Sequence, residues 1–195
     1  MEINVQRIDG NWNLGYSLDK HVLSSTYLGD NQWGHATFDT TRSEVGEALY
    51  QLKYRSDFNQ IPLIANQLSD SLAKLFSSAS LVIPMPPSKQ RARQPVIEIA
   101  QIVAKNMGIP CYENLLIKTK DTPQMKDIES RKDKVETLVQ ALAINDLLGN
   151  AQYDVLIIDD LYDSGASLEA ATNILREYKK VRNIFVATAT RKHNA

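Results

Sequence analysis

Asp159 and Asp160 stand side by side at the end of the apolar run Val155–Ile158, and a short polar stretch with Asp163, Ser164, Gly165, Ala166 and Ser167 follows. An ionised carboxylate only accepts hydrogen bonds, so an adjacent pair of them suits the vicinal hydroxyls of a sugar. The stretch after it suits the opposite charge. Gly165 lets the backbone turn tightly and come close to a ligand. Ser164 and Ser167 offer hydroxyl donors, and the amides that open a helix point unpaired N–H groups outward, where an anion is favoured. Hydroxyl acceptors beside a phosphate cradle describe a sugar phosphate. Either half alone is commonplace, an acidic strand end or a serine helix cap; in register after a buried strand, they make a ligand site.

These residues need a scaffold, and the remaining pattern supplies one. Residues 1–42 carry turn signals such as Leu28-Gly29-Asp30-Asn31 and read as short strands with a hairpin. Ser43 can cap a helix with Val45, Leu49 and Leu52 at helical spacing, and after a break at Arg55-Ser56-Asp57 a second amphipathic helix carries Ile64, Leu68, Leu72, Leu75 and Phe76. Downstream the chain alternates: a short apolar run over 80–86 stopped by prolines, a helix over 95–107 ended by Gly108, and a strand over 111–118. A charged connector over 119–134 merges into a helix with Val135, Leu138, Val139 and Leu142. A strand over Tyr153–Asp159, a helix over Leu168–Tyr178 and a strand over Asn183–Thr190 close the chain. Strands separated by helices predict an α/β fold, an open parallel sheet with right-handed crossovers and helices on its faces. Ligands of such sheets sit at the carboxyl ends of the strands, which directs attention to the loops 84–92, 119–130 and 159–167.

Composition excludes other classes. The 195 residues are 43% hydrophobic and 23% charged, ordinary for one soluble globular unit and unlike a disordered chain. Lys plus Arg is 22 and Asp plus Glu is 23, a net charge of −1, so bulk electrostatics supports neither nucleic acid nor anionic lipid as a partner. With Cys111 the single cysteine, an intrachain disulfide and a multi-cysteine zinc site are impossible, and Cys111 reads as a packing residue. The N-terminal MEINVQRIDG lacks a signal-peptide pattern and no apolar run is long enough to span a membrane; the expected location is cytoplasmic. His21, His35 and His193 show no metal-ligand spacing. Neither a nucleotide-binding P-loop nor a dinucleotide glycine fingerprint occurs.

The segment 155–167 resembles the phosphoribosyl-diphosphate motif of type I phosphoribosyltransferases: apolar positions, two acids, a short variable stretch, then Ser/Thr-Gly-x-Ser/Thr. The blocks 46–57, 83–93 and 118–134 are similar to those of ComF-type amidophosphoribosyltransferase-like proteins. The resemblance implies a type I phosphoribosyltransferase-like core over 77–195, with 1–76 forming an N-terminal hood and helices packed on it within one structural domain. It implies transfer of ribose 5-phosphate from phosphoribosyl diphosphate to a nitrogen nucleophile, release of pyrophosphate, and a need for Mg²⁺. Carried onto this chain, Asp159 and Asp160 would bind the ribose hydroxyls and, through them or through water, the metal. Asp163 to Ser167 would hold the 5′-phosphate, Ser88 and Lys89 would face pyrophosphate, and Lys118, Lys120, Gln124 and Arg131 would flank a mobile catalytic loop. Catalytic roles fall on Asp163, Lys120 and Arg131. Relatives are often homodimers.

Three departures accompany the resemblance. Many relatives begin with a four-cysteine zinc region, impossible here; the stretch after Pro87 reads SKQRARQP rather than the relatives' pattern; and Asp163 stands where many have Thr. Asp163 would serve either as a proton acceptor or as a cap carboxylate on the following helix. Trp12, Tyr16, Tyr27 and Trp33 are candidates to stack on an acceptor, or else core aromatics. A module that senses phosphoribosyl diphosphate or a nucleotide without turnover fits the same residues, and the resemblance alone implies a further alternative, a ComF-like accessory role in DNA uptake.

Overall fold

The computed structural model describes residues 1–88, 92–123 and 127–192. Its centre is a five-stranded sheet built from β1 (Gln6–Arg7), β2 (Leu14–Lys20), β5 (Leu81–Pro84), β8 (Tyr153–Tyr162) and β9 (Val181–Arg191), in the order β1-β2-β9-β8-β5. Every pairing is parallel except β1 with β2. The expected parallel α/β sheet is therefore present, and the N-terminal segment is part of it. β2 lies directly beside β9, so β1 and β2 belong to the same sheet as the motif strand β8.

Alternation along the inner strands divides the apolar core between the sheet's two faces. Leu156, Ile158, Phe185 and Ala187 meet α1 (Glu44–Arg55), α2 (Gln60–Leu72) and α3 (Pro95–Met107). Val155, Ile157, Ile184 and Val186 meet the other layer, α4 (Arg131–Ala141) and α5 (Ala166–Glu177). Local chemistry sets the ends of the helices. The Ser43 side chain accepts from the Gly46 amide at the start of α1, and Ser56 in the left-handed region (φ 56°) stops it. Pro95 opens α3 and Gly108 (φ 68°) closes it.

Three expectations change. The run 111–118 is not a core strand. Cys111 makes one parallel bridge to Val82, a turn follows, and β6 (Leu116–Lys118) pairs instead with β7 (Leu142–Ile144) in a separate antiparallel ribbon. Leu142 consequently leaves α4 for β7, and the loop after β6 does not begin at the carboxyl edge of the central sheet. The second helix stops at Leu72, so Leu75 is exposed while Phe76 still reaches the core. β8 continues past Asp159 to Tyr162, because β9 runs beside it as far as Arg191.

The expected hairpin comprises β3 (Val22–Asp30) and β4 (Ala36–Arg42), a ribbon in its own two-stranded sheet. It leaves β2 after Lys20 and returns to Ser43, with Leu23, Tyr27, Leu28, Trp33 and Phe38 exposed. Its root is held to α1, where the Arg42 guanidinium pairs with Glu47 and lies 3.9 Å from the centre of the Tyr50 ring.

Gly46 shows how tightly α1 is seated. A Cβ there would stand 2.1 Å from the His21 carbonyl oxygen. Helix propensity alone favours Gly46→Ala by about 1 kcal/mol. The backbone clash should reverse that sign and cost roughly 1–3 kcal/mol, the ordinary penalty for overpacking. Chemical denaturation comparing midpoints at constant m-value checks it, and a stabilised variant would contradict this packing.

Candidate functional site

β5 accompanies β8 only as far as the Pro84–Ile158 pairing, and the Met85 amide then closes the ladder onto the Ile158 carbonyl at 2.8 Å. Proline has no N–H, so Pro84, Pro86 and Pro87 turn the chain away from the sheet. β8 runs on with β9 alone. The divergence leaves a cavity of about 410 Å³ at the carboxyl end of the strands, between the turn Met85–Ser88, the start of α3, the end of α1 and the end of β8. Asp159, Asp160, Ser88, Ser167, Lys53 and Tyr54 reach its lining.

The two carboxylates leave the strand on opposite sides. By alternation Asp159 follows Val155 and Ile157 toward α5, and Asp160 follows Leu156 and Ile158 toward α1. On the α1 side the Lys53 Nζ lies 2.6 Å from Asp160 Oδ2. Asp159 is fixed within its own strand, its Oδ1 accepting from the Asp160 amide at 2.8 Å. Burial and the neighbouring Asp160 carboxylate push Asp159 up to about 7. Nearby His21 is lowered, first by burial and then by the positive charges of Lys53 and Arg42. Thr190 ties β9 to this corner through a 3.1 Å hydrogen bond from its hydroxyl to the Asp160 carbonyl.

On the α5 side, Asp163 to Ser167 form a turn around a recess of about 50 Å³ that Asp159 also lines. Gly165 has φ 76°, and a Cβ at that position would stand 2.8 Å from the Tyr162 ring, so conformation and space both require glycine. α5 starts at this glycine with no side-chain cap, and its first-turn amides have no intrahelical acceptor. The Ser164 hydroxyl accepts weakly from the Ala166 amide at 3.4 Å. Here the structure gathers the residues that the sequence proposed for a phosphate.

The other proposed residues take various places around these two cavities. Arg131, at the start of α4, is bound to the turn itself: its Nε donates to the Ser164 carbonyl at 2.9 Å and its guanidinium pairs with Glu169. Lys120 is exposed, and neither it nor Arg131 lines the two cavities. Lys118 donates to the Thr122 hydroxyl at 2.8 Å. Asp163 makes no cap; its carboxylate pairs with Lys192 at 2.7 Å and is half exposed. Ser88 lines the larger cavity, whereas Lys89, Gln124 and His193 fall outside the described residues. Burial pushes the Cys111 thiol up to about 11, in keeping with a packing role.

The aromatic candidates also sort by position. Trp12 is buried with its indole N–H on the Ile8 carbonyl, Tyr16 stacks edge-on to Phe76, and Tyr27 and Trp33 belong to the β3–β4 ribbon. Tyr54 is the aromatic ring at the larger cavity among the described residues. Sequence reasoning gives Lys53 and Tyr54 no role, although they fall inside the block 46–57 that carries part of the resemblance. Helical spacing marks the buried face of α1 and says nothing about which exposed residue its last turn aims at the sheet edge.

The raised Asp159 carries a pH signature with a definite sign. Between the ordinary carboxylate range near 4 and about 7, the folded chain keeps a proton that the unfolded chain releases. Stability from this group therefore falls as pH rises through that window. Asp159→Asn removes the titration, so the variant should gain on the wild type between about pH 5 and pH 8, on the order of 1 kcal/mol or more and hence a few degrees in Tm. Thermal melts across pH read this difference, and parallel profiles would contradict a desolvated carboxylate repelled by its neighbour.

No family model matches the chain. It is 26% identical over 154 residues to the competence protein ComFC of Bacillus subtilis (strain 168), an alignment covering 78% of this chain and 62% of that protein. Similar solved structures include a hypoxanthine phosphoribosyltransferase from Staphylococcus aureus (22% identity, TM-score 0.44, 70% of this chain and 66% of that one). Another is an adenine phosphoribosyltransferase from Thermoanaerobacter pseudethanolicus ATCC 33223 (13% identity, TM-score 0.45, 86% and 95%). The chain thus spans less than two thirds of its curated relative's length, and the resemblance to ComF-type proteins read from its motifs is met by that relative.

Proposed function

We propose that this chain binds 5-phosphoribosyl 1-diphosphate and transfers ribose 5-phosphate to a nitrogen nucleophile, a base or an amine, with release of pyrophosphate. The observation that carries this reading is the meeting, at the end of β8, of a carboxylate pair, a glycine-hinged anion turn and an adjoining larger cavity. In it, the 5′-phosphate takes the first-turn amides of α5 and the Ser164 and Ser167 hydroxyls. Asp159 and Asp160 accept from the ribose hydroxyls, and the diphosphate extends into the larger cavity toward Ser88. Fixing the sugar at both ends presents C1 to the incoming nitrogen, and positive charge near the departing diphosphate lowers the barrier. No covalent intermediate with a protein side chain is required.

Mg²⁺ belongs to the same proposal, as a companion of the diphosphate. Asp159 and Asp160 would reach it indirectly, through the ribose hydroxyls or water, since no cluster of three His, Cys, Asp or Glu residues suited to a metal occurs among the described residues. When bound, Mg²⁺ would draw charge from the diphosphate oxygens. Asp163 is proposed as the proton acceptor for the nitrogen, released from Lys192 when substrate binds. A cytoplasmic setting belongs to the same proposal; no helix among the described residues is long and apolar enough to cross a membrane. So does a homodimer.

A second reading has its own support. Arg131 is spent on the turn and Lys120 lies away from both cavities, which suits a module that holds phosphoribosyl diphosphate without turning it over. An accessory role in competence, suggested by the name of the Bacillus subtilis relative, has no support from the near-zero net charge.

Titration calorimetry with phosphoribosyl diphosphate and Mg²⁺, paired with pyrophosphate release over a panel of bases and amines, tests both. The wild type should bind, and the Asp159→Ala/Asp160→Ala double variant should lose at least about 100-fold in affinity, two charge-assisted contacts being removed. Pyrophosphate release with one acceptor establishes the transferase; tight binding with no turnover establishes the sensor. Equal binding by the double variant would remove this site from either role.

A further inference from the structure

Lys53 is the single basic side chain among the described residues lining the larger cavity. It reaches the cavity from the last turn of α1, a helix anchored by the Ser43 cap and by buried Val45, Leu49 and Leu52. Its Nζ stands 2.6 Å from Asp160 Oδ2, with 31% of the lysine and 17% of the aspartate side chain exposed. Among the described residues, Asp159 on β8 feels both members of this pair, and so does His21 between β2 and β3, which Arg42 and Glu47 also reach.

A cavity that already holds two carboxylates repels a diphosphate unless a cation shares it. The sequence points for that cation to Lys89, Lys120 and Arg131; Lys89 lies outside the described residues, Lys120 does not line the cavity, and Arg131 is bound to the Ser164 carbonyl. Lysine carries a compact charge on a flexible four-carbon stem, so its ammonium can exchange one oxygen for another a few ångströms away while α1 stays fixed. We infer that Lys53 has two successive partners: it holds the Asp160 carboxylate in the free protein and turns to the diphosphate when that group enters the cavity, leaving Asp160 to the ribose hydroxyls. The inference rests on the phosphoribosyl reading and adds the side chain that orients its leaving group. The exchange makes and breaks no covalent bond.

The test compares wild type, Lys53→Met and Lys53→Arg, each shown folded by circular dichroism and melting temperature. Calorimetry with Mg²⁺ throughout measures affinity for ribose 5-phosphate, pyrophosphate and phosphoribosyl diphosphate. The methionine variant should lose about 10-fold or more for pyrophosphate and for phosphoribosyl diphosphate, yet stay within about 3-fold for ribose 5-phosphate. The arginine variant should recover most of the loss. A purely structural lysine would weaken all three alike, and that pattern overturns the inference. Pyrophosphate binding indifferent to residue 53 in a protein that still binds ribose 5-phosphate overturns it as well, leaving the phosphoribosyl reading intact. A wild type that binds neither ribose 5-phosphate nor phosphoribosyl diphosphate overturns both.

Discussion

A parallel strand sealed on both faces can release its polar residues only at its ends, and β8 is sealed from Val155 to Ile158 between two helical layers. Its hydrogen bonds are taken by β5 on one side and β9 on the other until Pro84 removes β5. From that point, consecutive carboxylates leave on opposite sides of the strand, each partly covered by the neighbouring elements. Each needs its own compensation. Asp160 finds an ammonium on the α1 side; Asp159 retains one backbone amide and a share of Lys53's field.

This asymmetry organises the carboxyl edge of the sheet. The α5 side offers amide dipoles without a mobile charge, suited to a terminal phosphoryl group held in one orientation. The α1 side offers a formal positive charge on a flexible stem, suited to a group that arrives and departs. Because α1 is threaded onto the sheet by β2 and by the close seat of Gly46 under His21, residues far from the motif in sequence fix that second side. A partly buried carboxylate crowded by a second one is a destabilising feature, and such features cluster where ligands bind.

The sequence made some of this legible and hid the rest for identifiable reasons. Val155–Ile158 declared a buried strand, and the acids and glycine after it declared a turn, because those signals are local. Ser43 and Gly108 marked helix ends for the same reason. The strand expected over 111–118 failed because an apolar run does not reveal its partner: Cys111 touches the central sheet once, while Leu116 to Lys118 belong to another ribbon. Placing β2 within the sheet was equally invisible, since parallel pairing with β9 joins chain ends. Lys53 escaped notice because a surface lysine on an amphipathic helix looks the same whether it faces bulk water or a cavity. Likeness to a loop points to Lys120 and Arg131 without saying where they lie; the fold sets Arg131 against the Ser164 carbonyl of the turn.

The β3–β4 ribbon has a consequence of another kind. Its outer reaches are exposed on both strands, while Arg42, with Glu47 and Tyr50, fastens its root. An appendage tethered in this manner adds little to the interior, so its length and composition are free to drift over evolutionary time without unsettling the chemistry at the sheet edge. The segment joining Lys20 to Ser43 is thus a natural graft point, where a lineage can acquire a new recognition device and keep the old scaffold.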